Sequence, residues 1–165
     1  MINSSAASHP LALWLAAWLT VAVGCSQDQQ AASIVASKNS SNIQRLANLY
    51  RSYQLRHGSQ GPKDEATFED YIQHAMPAHR LEMMQVDVNN IEGLFISERD
   101  GQPFQVRYGV GGGMDWITAV VFEQQGKSAK KQVAFTDGSV AEVDDSHFRQ
   151  LLDDPGRSIM DTKTP

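Results

Sequence analysis

Val133-Ala134-Phe135-Thr136-Asp137-Gly138-Ser139-Val140 is the stretch that decides the fold class. Asp-Gly between two apolar-rich runs is among the stronger short signals for a hairpin, because glycine supplies the positive φ that a tight reversal needs. Lys131 to Phe135 and Val140 to Val143 then read as its two strands. Working upstream, Gln125-Gly126-Lys127 is a turn, and Trp116 to Glu123 is apolar on both faces, the pattern of a central strand. Gly109 to Gly113 reads as a flexible segment between strands. Before it, Phe104, Val106 and Tyr108 alternate with Gln105 and Arg107, as on a half-buried strand. Arg99-Asp100-Gly101 is a further turn, preceded by the short apolar run Leu94-Phe95-Ile96. These connections are too short for parallel crossovers, so the expected sheet is antiparallel, of about four or five strands.

Further upstream the period changes. Ile43, Leu46, Ala47, Tyr50 and Tyr53 recur at helical spacing, with Ser40 or Ser41 as cap, Gly58 at the C-terminal stop and Gly61-Pro62 closing the turn. Arg45, Arg51 and Arg56 fall on the outer face and are expected to be solvated. A shorter helix is expected from Glu65 to His74, capped by Asp64, burying Phe68, Tyr71 and Ile72 and stopped by Pro77. Met83 to Val88 fits either a helical turn or a strand edge. Downstream of the hairpin, Asp145 or Ser146 can cap a last short helix presenting Phe148, Leu151 and Leu152. The tail, 153–165, holds Pro155 and Gly156 and is expected to be disordered. Helices first and strands afterwards argue an α+β domain over 42–152.

The whole chain has 165 residues, a formal net charge of −5, 41% hydrophobic residues and one cysteine. The acidic balance argues against nucleic acid as a partner, since phosphates are neutralised by Lys and Arg. With Cys25 alone, no intramolecular disulfide can form. A folded part of about 110 residues must rely on its core, and that size buries roughly two-thirds of the unfolded surface.

Leu11 to Val23 is a 13-residue apolar run with Thr20 as its one polar residue. It is short of the roughly 20 residues of a membrane-spanning helix and fits a signal-peptide core. The run ends in Ala22-Val23-Gly24-Cys25, which resembles the lipobox of bacterial lipoproteins. That resemblance implies a cleaved signal over 1–24, cut between Gly24 and Cys25, and acylation of the Cys25 thiol and usually of the new amino terminus. Several chains are needed because a single acyl chain holds only marginally. The segment before Leu11 carries no Lys or Arg, a departure from the usual signal peptide. Ser26 after the cysteine implies outer-membrane sorting, on the periplasmic face, in a Gram-negative host. Residues 25–41, rich in Gln, Ser, Ala and Asn without an aromatic, read as a flexible tether.

Ile43-Gln44-Arg45-Leu46-Ala47-Asn48-Leu49-Tyr50, a helical Tyr53 and the hairpin around Asp137-Gly138 resemble the soluble heads of type II secretion pseudopilins. A closer likeness is to prepilin-like proteins of planctomycetes, among whose envelope proteins of unassigned role Ser97-Glu98-Arg99-Asp100-Gly101-Gln102-Pro103 also has counterparts. Lys127 stands where that group often has His, ten residues before its Asp-Gly. The resemblance implies a pilin-head-like domain held by a lipid in place of the long apolar helix through which pilin subunits stack.

Chemistry is harder to nominate. His74 and His79 are separated by Pro77 and share no helical face; His57 adjoins a capping glycine and His147 a terminal turn. Asp87-Val88-Asn89-Asn90 offers oxygen ligands without the spacing of a twelve-residue calcium loop, and Asp144-Asp145 suits a helix cap. Gly109 to Gly113 lacks the Lys-Ser/Thr of a phosphate-binding loop, and Ser59 lacks the setting of a nucleophile elbow. No catalytic residue, metal or cofactor is nominated. Met114 and Trp116, beside the glycine segment, are the expected partner contact, because Met and Trp are enriched at interfaces. The expectation is a non-catalytic, membrane-anchored protein-interaction module of the cell envelope. The alternatives are an envelope hydrolase built from scattered Asp, Glu and His, or a calcium or small-ligand binder.

Overall fold

In a computed structural model that describes residues 41–112 and 117–153, the first element is α1 (Asn42–Arg56). Ile43, Leu46, Ala47, Leu49 and Tyr50 line its buried face, at the expected helical spacing. Ser41 stands at the cap position, yet its hydroxyl makes no capping bond. The orphan N–H of Asn42 instead donates to Glu98 Oε1 at 2.8 Å, from a distant turn. The helix ends where expected: Gly58 has φ +61°, and the Ser59 N–H closes back onto the Gln54 carbonyl at 2.8 Å.

Asp64 starts α2 (Glu65–Asp70), accepting from the Thr67 N–H at 2.8 Å and from its hydroxyl at 2.5 Å. The helix then widens into a π turn, Tyr71–Ala75, and the chain stops it at Pro77. Phe68, Tyr71 and Ile72 are buried as expected. Two short helices follow, α3 (Ala78–Met83) and α4 (Ile91–Leu94). Met83 ends α3 and residues 84–88 follow as turns and irregular chain without a strand, while Leu94-Phe95-Ile96 closes a helical turn rather than forming a strand. Ile96 keeps one bridge, to Pro103.

The sheet is an antiparallel meander, β1 (Gln105–Val106), β2 (Ala119–Phe122), β3 (Lys131–Phe135) and β4 (Val140–Val143), with neighbours in chain order. The fold is therefore α+β, helices first and a four-stranded antiparallel sheet after. Central β2 is buried along its length. A bulge between Ala119 and Val121 turns both Val120 and Val121 toward α1, leaving Ala119 and Phe122 for the opposite face. That opposite face, with Val133 and Phe135, is covered by α5 (Asp145–Asp153) through Phe148, Leu151 and Leu152. Both faces of the sheet thus carry a core, one under α1 to α4 and one under α5. Among the described residues no helix is long and apolar enough to cross a membrane.

Candidate functional site

The C-terminal half of α1, the turn after it and the far end of the sheet enclose a cleft of about 310 Å³. Arg51, Gln54 and Leu55 come from α1, Ser59 from the turn, Gly112 from the glycine-rich loop, and Ile117, Thr136 and Asp137 from the ends of β2 and the β3–β4 hairpin. That volume is at the small end of ligand-sized sites.

Several polar ties build the walls. Gln54, 4% exposed, donates from Nε2 to the Val110 carbonyl at 3.1 Å, and the Gly112 N–H donates to the Ser59 carbonyl at 2.8 Å. The Gly109 N–H donates to the Pro62 carbonyl at 2.7 Å. Gly109 to Gly112 is accordingly fastened to the end of α1, a correction to the flexible segment expected there. Tyr50 locks the same loop from below: its hydroxyl donates to the Arg107 carbonyl at 3.0 Å and lies 3.4 Å from that of Val110. Burial pushes the Tyr50 phenol up to about 12, so it remains a donor throughout the physiological range. Gly61 fits only as glycine, since a Cβ there would sit 2.1 Å from the Tyr50 hydroxyl.

Across the cleft, the Thr118 and Thr136 backbones pair at 2.9 Å, and the Thr136 hydroxyl accepts from the Thr118 N–H at 3.1 Å. Asp137 steadies the hairpin by accepting from the Ser139 N–H at 2.9 Å and its hydroxyl at 2.6 Å. Gln44 of α1 reaches the Gly138 carbonyl at 2.6 Å. On this frame two side chains, Leu55 and Arg51, are exposed. Leu55 is 77% exposed, the most exposed large apolar side chain described. The Arg51 side chain runs past Gly138, where a Cβ would meet its Cδ at 3.6 Å, and its guanidinium makes no hydrogen bond or ion pair among the described residues.

The other two arginines of the expected solvated face have structural duties. Arg45 donates from Nε to the Met84 carbonyl at 3.1 Å and pairs with Glu98 at 3.6 Å. Arg56 reaches the Ala75 carbonyl at 2.9 Å beside the Tyr71 ring. Only Arg51 is left facing the cleft.

The expected partner contacts, Met114 and Trp116, lie outside the described residues, as do Gly24 and Cys25. Gly112 and Ile117, the nearest described residues on either side of Met114 and Trp116, both line the cleft. The oxygen-rich stretch is spent on its own turns: Asp87 accepts from the Asn89 N–H at 2.9 Å, and Asn90 caps α4 by accepting from Gly93 at 3.2 Å. Asp144 rather than Asp145 caps α5. It accepts from the Ser146 and His147 N–H groups at 3.0 and 2.9 Å, and these bonds pull its carboxyl down to about 2. Among the described residues no group of three or more His, Cys, Asp and Glu is arranged to hold a metal.

A buried carboxylate escaped the sequence reading. Glu123, fully buried at the end of β2, accepts from the Ser97 hydroxyl at 2.9 Å and the Gln132 N–H at 2.8 Å, with Arg99 Nε at 3.5 Å. Arg99 also pairs with Glu142 of β4. Nearby, Asp100 accepts from the N–H groups of Gln102, Gln125 and Gly126 at 3.0, 2.9 and 2.8 Å. Although burial works to raise its pKa, these donors hold its carboxyl below the usual range. Every group of this cluster is engaged within the fold, so it reads as a clasp between the 97–102 turn and the sheet. The signal for it was a single charge at the end of an otherwise apolar strand.

No protein-family model, curated protein or solved structure matches the chain.

Proposed function

We propose that this chain is a lipid-anchored cell-envelope protein whose folded domain is a non-catalytic module that binds another protein. The anchor rests on Ala22-Val23-Gly24-Cys25 at the end of an apolar run, with Cys25 as the acylated residue and Gly24 preceding the cut. The observation that carries protein binding is the cleft: an exposed leucine beside an arginine without a partner among the described residues, on walls braced by hydrogen bonds. A rigid frame limits the entropy lost on binding, and an apolar anchor beside a cation is a common pairing at interfaces. A helix leading into an antiparallel meander agrees with the likeness to pseudopilin heads, and the lipid would take the place of the pilin membrane helix.

Photo-crosslinking tests the reading. A photoreactive residue at position 55 in the full chain, in its own membranes, should give one discrete adduct, lost on Arg51→Glu. The same probe at exposed Lys130 should give none. Equal, diffuse adducts at both positions would overturn partner binding at the cleft.

A further inference from the structure

Four large apolar side chains are exposed among the described residues, and three of them, Met83, Val88 and Ile96, belong to one segment, α3 to α4 and the residue pair after it. That segment is pinned to the first turn of α1. Asn42 Nδ2 donates to the carbonyls of Gly93 and Ile96, both at 2.9 Å, and Arg45 reaches Met84 at 3.1 Å. Met83, next to Met84, and Ile96 therefore lie beside the first turn of α1, with Val88 on the segment between them. Leu55, the fourth, lies on the last turn of the helix. Fifteen residues of α1 at 1.5 Å each place the two ends about 22 Å apart.

Between Cys25 and Ser41, the first described residue, lie fifteen residues, 26–40. For a stretch whose composition reads as a flexible tether, that length corresponds to a root-mean-square span of about 22 Å. A domain held that close to a surface meets it at an effective concentration in the millimolar range, so a contact too weak to act alone becomes populated. We propose that the tether-end pole rests on the lipid bilayer, with Met83, Val88 and Ile96 entering the headgroup boundary. This inference depends on the anchor proposed above. It also carries an electrostatic signature. Exposed Glu82, Asp87 and Glu92 outnumber His79 and Arg80 there, and Glu98 is paired with Arg45. The contact is therefore apolar in origin, opposed by anionic lipid, and relieved by salt screening.

Acylation consumes the thiol of Cys25, so a cysteine introduced into the full-length chain becomes its one free thiol after processing. Val88→Cys and, separately, Leu55→Cys would carry an environment-sensitive dye, on acylated protein reconstituted in phosphatidylcholine vesicles containing a doxyl-lipid quencher. The dye at 88 should be quenched several-fold more than at 55. Replacing about a third of the lipid with phosphatidylglycerol should reduce the difference, and raised salt should restore it. Equal quenching of acylated protein at 88 and 55 would overturn the proposal. So would a thiol at 88 that is protected in native membranes yet unquenched in the vesicles, because a protein would then cover it. Protein purified without acyl mass is a separate result: it removes the anchor and this proposal with it.

Discussion

At the scale of single residues, the least replaceable polar group described is Glu123. Its carboxylate is fully buried and satisfies a hydroxyl, a backbone N–H and a guanidinium at once. Glu123→Ala would leave Ser97 and Gln132 without their acceptor and Arg99 with Glu142 alone, and breaking a buried pair from one side costs on the order of 3 kcal/mol. Chemical denaturation should register a loss of about that size, with Glu123→Gln intermediate because it keeps an acceptor oxygen. A loss under about 0.5 kcal/mol would mean the clasp contributes little. Sequence alone could not pair Glu123 with Ser97, since their 26-residue separation is closed only when the 97–102 turn docks on the sheet. Gly58 and Asp64 were legible for the opposite reason. A left-handed stop and a capping carboxylate are local requirements, set by the few residues around them.

At the scale of elements, α5 hangs on its two ends. Lys131 pairs with Asp145 at 3.3 Å and lies over the Phe148 ring, while Arg107 reaches the Leu152 carbonyl at 2.8 Å. Asp144 begins the helix with a carboxyl lowered to about 2, and Asp64 and Asp100 are lowered as well. Groups depressed by folding stabilise fully above their unfolded values near 4 and lose that contribution as the pH falls through the folded ones. Melting temperature should therefore change little, on account of these groups, between pH 7 and 5 and drop between about pH 4 and 2. Asp144→Asn should lower stability at pH 7 and flatten part of that acid limb. An acid limb identical to that of the unsubstituted chain would show that Asp144 does not contribute. The hairpin, the central strand and α1 could be read from period and turn chemistry. α3 and α4 could not, because a six-residue and a four-residue helix hold too few turns to show a period. The bulge in β2 was hidden too: Val120 and Val121 look like any valine pair until the register shift turns both to one face.

At the scale of the whole molecule, α1 separates two poles. One lies at Asn42, beside the segment that exposes Met83, Val88 and Ile96; the other carries the cleft with Arg51 and Leu55. With the proposed lipid anchor at the first pole, the second would face away from the bilayer, open to the proposed partner. The cleft itself was not legible. The expected contact, Met114 and Trp116, lies outside the described residues, and Leu55 and Arg51 look like ordinary surface positions until the helix end meets the hairpin. All of this turns on Cys25 being the lipidated start of the mature chain. Intact mass spectrometry of the full chain purified from membranes tests that most directly. The account predicts a chain beginning at Cys25 and heavier than residues 25–165 by a diacylglycerol and a further acyl chain, with Cys25→Ser recovered in the soluble fraction. A chain retaining residues 1–24, or one with an unmodified Cys25 thiol, would contradict it.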